Sequence, residues 1–557
     1  MLELSQIKLF LRRGNLVPKN EHQQLMHEIC RILKISRGDI AHTNITKHSI
    51  DARKKNDVAL IYSVSIALKD ARKEMDLLTR ARGTKLEKRL KLLDDVPYTL
   101  PTCCSYAPQT QPIVVGAGCA GLFCALALAK AGLSPVLIER GEDAFARQKT
   151  IEHFNATGEL NEASNIQFGL GGAGTFSDGK LTTGTKSPAH KLILEEFVEA
   201  GANEAILWDA KPHIGSDILP RVVTNLAKKI ESYGGDVRFG CTLTDIAISN
   251  GRLCSVSISQ KLADGTKREE TLPAQDVILA CGHSARDVFS LLKRNRVFLE
   301  RKTFAMGVRI EHLQADIDRA QYGHFAGNPL LGAAPYKLSY RLQDGRSAFS
   351  FCMCPGGYVV CASSEKGGVC TNGMSLSDRA GTNANAGLLV NVFPQDLPGD
   401  DVLAGVELQR SCERTAYDLG GGLYRAPAQL VGDFMAQTPS TGPGRIQPTY
   451  PRGVTWTSID AALPPYITET MRAALPQLAR RLKGFDNPEA VLTGVETRSS
   501  SPVRITRSDT MQSVSTQGLW PCGEGAGYAG GIMSAATDGL RVAEALIAHY
   551  EAFGTGV

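Results

Sequence analysis

Pro112-Ile-Val-Val-Gly116-Ala-Gly118-Cys-Ala-Gly121-Leu-Phe-Cys-Ala-Leu-Ala-Leu-Ala-Lys130 decides the fold. It reads as an apolar strand, a G-x-G-x-x-G turn and an alanine-rich helix in immediate succession. Gly116 permits the tight turn, Gly118 lets the backbone approach a pyrophosphate, and Gly121 lets the helix pack closely on the strand. Free N–H groups where the helix starts, at Cys119 and Ala120, then hold the phosphate. A second strand, Pro135 to Ile138, ends on Glu139-Arg140. Glu139 lies 23 residues after Gly116, where a carboxylate accepts hydrogen bonds from the ribose of an adenosine.

The far end of the chain repeats the pattern. Gly518-Leu-Trp-Pro-Cys522-Gly523-Glu524-Gly-Ala-Gly-Tyr-Ala-Gly530-Gly531-Ile532 is again strand, glycine loop and helix start. A strand ending in Gly-Glu before a glycine-rich helix start resembles the second FAD motif of large flavoproteins with a glutathione-reductase-like FAD domain. In that resemblance Glu524 binds the ribityl or pyrophosphate part, and Gly530, Gly531 and Ile532 set a helix N-terminus near the pyrimidine edge of the flavin. Between the motifs, Ile218 to Tyr233 reads as an amphipathic helix. Strands follow at Val237, Thr242 and Val256, and Val277-Ile-Leu-Ala-Cys281-Gly282-His283 matches a strand-plus-turn of FAD domains, with Cys281 where Thr is usual.

Gly169-Leu-Gly-Gly172-Ala-Gly-Thr-Phe-Ser177-Asp178-Gly-Lys180 holds too many glycines for a regular helix or central strand and reads as a ligand-hugging loop. Ser177 and Lys180 are candidates for the pyrophosphate or the flavin N5 and O4 edge. His283 and Arg286 follow the Gly282 turn at a strand's C-terminal end, where open α/β sheets bind ligands; with Lys180 they are the candidate catalytic groups. Arg309, Lys337, Arg498 and Arg504 are possible anchors for an anionic substrate. Cys352 and Cys354, at i and i+2 of a strand-like run, point to one side and read as buried thiols rather than a disulfide.

On these motifs the chain resembles a bacterial family of FAD-dependent dehydrogenase-like proteins with no assigned substrate, distantly similar to the aminoacetone-oxidase-like flavoproteins. The residues that carry the likeness include Lys47 to Lys55, Asn165 to Leu181, Gly282 to Asp287, Ser350 to Gly357 and Gly494 to Pro502. The resemblance implies an FAD-binding α/β fold with an inserted substrate domain and redox chemistry by hydride transfer through flavin N5. No second G-x-G-x-x-G unit holds a nicotinamide dinucleotide, so NAD(P)H is expected only as a transient donor, with direct reduction by the substrate as the alternative.

The rest of the 557 residues fits around this core. Residues 1 to 100 carry 20 Lys+Arg against 12 Asp+Glu, within a chain of net charge +5. They read as a β-α-β-β module: strands at Ile7 to Leu11, Ile40 to Ile50 and Val58 to Leu68, a helix at His22 to Leu33, and a further helical stretch from Lys69 to Asp95. This basic module leaves two other functions open: docking of RNA or an acidic partner, or a sensor that keeps FAD without turnover. The expected division is residues 1–100, an FAD-binding part at 108–300 and 491–557, and an α+β substrate part at 301–490. There, Phe304 to Val360 is rich in short β-like runs, and Ala404 to Phe434 and Pro465 to Leu482 look helical. Fourteen cysteines without zinc spacing read as reduced thiols. No run approaches the roughly 20 apolar residues of a membrane span, and the expected location is the cytoplasm.

Overall fold

The computed structural model describes residues 1–11, 19–93, 97–262 and 264–554. The chain opens with Leu2–Phe10 (β1), Glu21–Leu33 (α1), Ile40–Asp51 (β2), Ala59–Leu68 (β3), Ala71–Ala81 (α2) and Leu90–Leu92 (β4), forming a sheet of order β2-β3-β1-β4. Leu25, Met26, Ile29 and Leu33 are the buried stripe of α1. The helical reading of Lys69 to Asp95 is corrected. α2 stops at Ala81, Gly83 takes a left-handed φ of 72°, and the chain turns back so that Leu90 pairs with Leu4. Asp95 lies outside the described residues. The outer edge of β2 is met at one residue: His48 donates its N–H to the Trp208 carbonyl and accepts from the Ala210 N–H, both at 2.8 Å.

Next come Ile113–Val115 (β5), Cys119–Lys130 (α3), Val136–Ile138 (β6), Ala144–Thr157 (α4), Ala189–Glu199 (α5), Leu219–Ser232 (α6) and Asp236–Arg238 (β7). A meander of Cys241–Ser249 (β8), Arg252–Lys261 (β9) and Lys267–Pro273 (β10) leads to Val277–Leu279 (β11) and Arg286–Arg294 (α7). Every residue of β5, β6 and β11 is buried, as parallel strands covered on both faces must be. Ala120 to Ala129 of α3 are all buried too, so this apolar helix lies inside the molecule.

The third part runs through Leu299–Arg301 (β12), Phe304–Leu313 (β13), Gln314–Tyr322 (α8), Ser339–Arg341 (β14), Ser347–Cys354 (β15), Gly357–Cys361 (β16), Thr371–Ser375 (β17) and Asn383–Val392 (β18). Ala404–Leu419 (α9), Ala426–Leu430 (β19), Val431–Ala436 (α10), Val454–Trp456 (β20), Pro465–Ala479 (α11) and Val491–Glu496 (β21) complete it. Its main sheet has seven strands in the order β14-β15-β18-β13-β21-β19-β20. The helical reading of Ala404 to Phe434 breaks at Gly420-Gly421-Gly422, where Gly421 and Gly422 take positive φ and release β19 into the sheet. Apolar residues of this sheet and of the N-terminal module join one buried cluster.

The chain then returns through Val503–Ile505 (β22) and Leu519–Pro521 (β23) and ends in Ile532–Gly554 (α12). β23 completes a parallel sheet of order β23-β11-β5-β6-β7, and α12 packs on α3 so closely that a methyl on Gly539 would lie 2.1 Å from the Ala120 carbonyl oxygen. The result is a mixed α/β protein with a Rossmann-type core. Among the described residues, no helix is long and apolar enough to cross a membrane.

Candidate functional site

The two ends of the parallel sheet's chain path converge on one edge. A Cβ on Gly121 would sit 1.9 Å from the Gly116 carbonyl oxygen, so α3 is held against the turn at a distance only glycine allows. Gly118 starts α3 and pairs in a parallel bridge with Gly171, and a Cβ on Gly172 would stand 3.1 Å from the Gly118 Cα. Glu139 is 5% exposed and accepts from the N–H groups of Ala117 and Gly141 at 2.9 Å and of Gly169 at 3.0 Å. Three of about four lone-pair positions are thereby used, leaving one for a ribose hydroxyl. Arg140, expected from the sequence beside Glu139 at the cofactor, donates to both oxygens of Asp287 at 2.9 and 3.0 Å and stacks on Phe168.

The glycine loop is shaped from within by Arg147, which sequence reading missed. Fully buried on α4, it donates to the carbonyls of Asn165, Ile166, Leu170 and Gly172 at 2.7–2.9 Å. Burial lowers its pKa to about 9. Gly174 packs beside Ile532 and Cys119, and Thr183 reaches Ser534 at 3.0 Å, so the loop spans the N-termini of α3 and α12. Ser177 is turned inward, donating to Gly174 O at 2.7 Å and accepting from the Gly179 N–H at 3.0 Å. Lys180 leaves this edge, donating to the Met353 carbonyl and lying 3.6 Å from Asp178. Ser177 thus bonds within its own loop, and Lys180 ties the loop to β15.

At the C-terminal motif, Gly523 takes φ 74° and donates to Asp538 at 2.8 Å, and Arg507 clamps Asp538 through two bonds of 2.6 and 2.9 Å. Glu524 retains a quarter of its side-chain exposure, yet surrounding protein raises its pKa to about 7; Lys302 and the Gly531 N–H oppose that rise. Its Oε2 stands 3.9 Å from His283 Nδ1. His283 meets the Arg498 carbonyl through Nε2 at 2.8 Å, and burial lowers its pKa to about 4, so it is neutral. Beside this pair, a Cβ on Gly282 or Gly531 would meet nothing within 4 Å. An acid, open space at two glycines, and the first turns of two helices with their unpaired N–H groups suit a dinucleotide whose pyrophosphate and flavin ends need such donors. The residues present therefore fit FAD.

Arg286 is corrected from a catalytic candidate to a buried tie. It is 2% exposed and forks onto Glu413 at 2.7 and 2.9 Å, while Arg498, also a proposed anchor, grips the same carboxylate at 2.7 and 2.9 Å. Both guanidinium groups hold the Glu413 carboxyl well below its usual range. Arg309 is likewise spent, fully buried against Glu496 at 2.5 Å. The paired-thiol expectation also changes. A bulge between Phe351 and Cys354, with Cys352 at φ 41°, breaks the alternation of β15, so Cys354 is buried and Cys352 exposed. All fourteen cysteines are free thiols.

A parallel sheet carrying a glycine turn on its first helix and an acidic glycine motif before its last defines a flavin-dinucleotide oxidoreductase fold. Residues 110–305 match the pyridine nucleotide-disulphide oxidoreductase family, residues 303–499 the family described as FAD-dependent protein, C-terminal domain-like, and residues 1–67 a domain of unknown function. An uncharacterized protein of Clostridium beijerinckii is 42% identical over 539 residues, covering 96% of this chain and 98% of that protein. The chain belongs to the same family, one of FAD-dependent oxidoreductases of unassigned function. Among solved structures, the FAD complex of a glycerol-3-phosphate dehydrogenase from Bacillus halodurans shares 13% identity, with 81% of this chain and 65% of that chain covered and a TM-score of 0.34; the match thus spans under two thirds of that enzyme. A flavoprotein/dehydrogenase from Cytophaga hutchinsonii shares 12%, with 80% and 79% covered and a TM-score of 0.36. The comparisons lend no support to an RNA or acidic partner.

Proposed function

We propose that this oxidoreductase acts on a small molecule held between the glycine loop and the seven-stranded sheet, with FAD in the edge just described. FAD, when bound, supplies two-electron chemistry by hydride transfer at flavin N5. The observation that supports this reading is the convergence of the α3 and α12 N-termini, the Gly169–Gly174 loop and Glu524 on one edge of the sheet. In it Gly116, Gly118, Cys119, Ala120 and Gly121 receive the pyrophosphate and Glu139 orients the ribose. Glu524 takes the ribityl side, Gly172 and Gly282 leave the cofactor room, and Gly530, Gly531 and Ile532 offer N–H groups to the pyrimidine edge. Residues 108–300 and 491–557 form the cofactor part, 301–490 the substrate part and 1–100 an appended module. His283 is not the proton carrier in this reading, since its imidazole stays neutral above about pH 4 with its Nε2–H donated to the Arg498 carbonyl.

The test is an anaerobic titration of the purified protein with NADH and then NADPH, following the visible flavin band. Bleaching by either supports a nicotinamide-fed oxidoreductase. A flavin band that resists both donors and also a panel of amines and hydroxy acids refutes turnover.

A further inference from the structure

Residues 208–214 form a strap with a backbone partner on each side. One side is the N-terminal module: His48 on β2 bridges Asp209 in parallel, through its 2.8 Å bonds to the Trp208 carbonyl and from the Ala210 N–H. The other side is the far end of the glycine loop. There Lys180 bridges His213 in the antiparallel sense, Leu181 donates to the Pro212 carbonyl at 2.9 Å, and Ile214 donates to the Gly179 carbonyl at 3.1 Å. The approach is close: a Cβ on Gly179, whose φ is 67°, would stand 3.0 Å from the Gly215 nitrogen. Toward its start the same loop meets α3, where Gly171 bridges Gly118 and donates to the Ala117 carbonyl at 2.8 Å. A line of backbone pairings thus runs from β2, through the strap and the loop, to the first glycine turn.

The module does not need this line to stay in place. Its apolar residues share one buried cluster with the seven-stranded sheet, and Lys55 lies against Gly323 at the end of α8, where an added Cβ would stand 3.1 Å from the Lys55 Cβ. The loop is the partner that depends on being pinned. Glycines at 169, 171, 172, 174 and 179 give it few side chains to pack and much backbone freedom to lose, so its closure relies on what holds its two ends. Backbone bonds carry the connection at His48. Its side chain also meets Asp209 at 2.9 Å, but the two are 23% and 37% exposed, and an ion pair so exposed adds little.

We infer that the N-terminal module belongs to the cofactor-holding machinery: through His48 it pins the strap, the strap pins the far end of the glycine loop, and the closed loop retains FAD. The backbone groups of His48 and Ala210 are positioning groups in this role. It goes beyond the oxidoreductase reading and rests on FAD binding alone, so it stands or falls whatever donor reduces the flavin.

Both backbone groups of His48 face away from β3, so His48→Pro deletes the bond to Trp208 and leaves the ladder between β2 and β3 intact. Ala210→Pro deletes the other bond from the strap side, after an Asp209 already paired as a strand. The two variants act from opposite sides, so either carries the test where the other does not fold. Release of FAD from the loaded full-length chain is timed by the recovery of flavin fluorescence, and amide exchange over residues 169–181 is read by mass spectrometry. The proline variants release FAD at least fivefold faster than the parent and exchange these amides faster. His48→Ala keeps the backbone bonds and stays within twofold. Leu25→Ala, in the buried stripe of α1, lowers the thermal midpoint and also leaves release within twofold. Release within twofold in the proline variants overturns the inference, and so does equally fast release in Leu25→Ala, which would assign the effect to the module's general stability. His48→Ala matching His48→Pro overturns it too, by giving the effect to the side-chain pair.

Discussion

Replacing Glu524 by Gln isolates the cost of a carboxylate at the cofactor edge. In the unfolded chain this group titrates at its ordinary value of 4.5; in the folded protein burial raises it to about 7. A group raised on folding contributes stability that is fully present below 4.5 and lost as pH climbs through 7. In that window the unfolded chain is ionised and the native one is not. At 1.36 kcal/mol per pH unit, the loss is about 3 kcal/mol between pH 4.5 and 7.5, then levels off. Glu524→Gln has no such dependence. Urea unfolding of both flavin-free proteins at half-unit steps from pH 4.5 to 8.5 should show the stability difference, variant minus parent, rising by about 3 kcal/mol up to pH 7.5 and staying flat above it. A difference that is constant across the range refutes the reasoning and means that the ionised carboxylate is solvated at this edge.

Arg147→Met removes four hydrogen bonds to loop carbonyls; at about 1 kcal/mol each it lowers stability by about 4 kcal/mol and releases FAD, read by urea unfolding and by flavin retained on gel filtration. Gly121→Val drives a side chain into the Gly116 carbonyl and abolishes flavin uptake, measured as the absorbance ratio of flavin to protein after reconstitution. Glu413→Gln leaves Arg498 buried without its carboxylate partner and Arg286 with Glu365 alone, and costs about 3–5 kcal/mol, visible as a large fall in thermal midpoint. Iodoacetamide labels Cys352 before Cys354, because the bulge leaves Cys352 exposed while Cys354 is buried; peptide mass mapping reads the order.

The strands and helices that build the cofactor edge were legible because the chemistry there is local. Gly116, Gly118 and Gly121 stand within six residues, and Gly523-Glu524 is separated from α12 by a single glycine loop. What could not be read was contact across distance. Asp178 and Arg379 lie 201 residues apart, and Arg286 and Glu413 lie 127 apart, so neither pair leaves a pattern in a window of sequence. Arg147 gave no signal because a buried arginine and an exposed one look alike on a helix whose flanks are mixed in polarity. The bulge at Cys352 was hidden for another reason: alternation predicts where side chains point only while the strand keeps its pairing register.

The placement of β23 and α12 has a consequence for the life of the chain before it is released. The parallel sheet takes its outer strand from residues 519–521, and the inner helix α3 is covered by a helix that begins at residue 532. A growing polypeptide that has made its first glycine turn must therefore keep an apolar helix exposed for some 400 further residues of synthesis, tens of seconds at about 5–20 residues per second. Closure of this edge accordingly waits for the residues from 519 onward, and a chain cut short before residue 519 lacks both the outer strand and the helix that pack the first glycine turn.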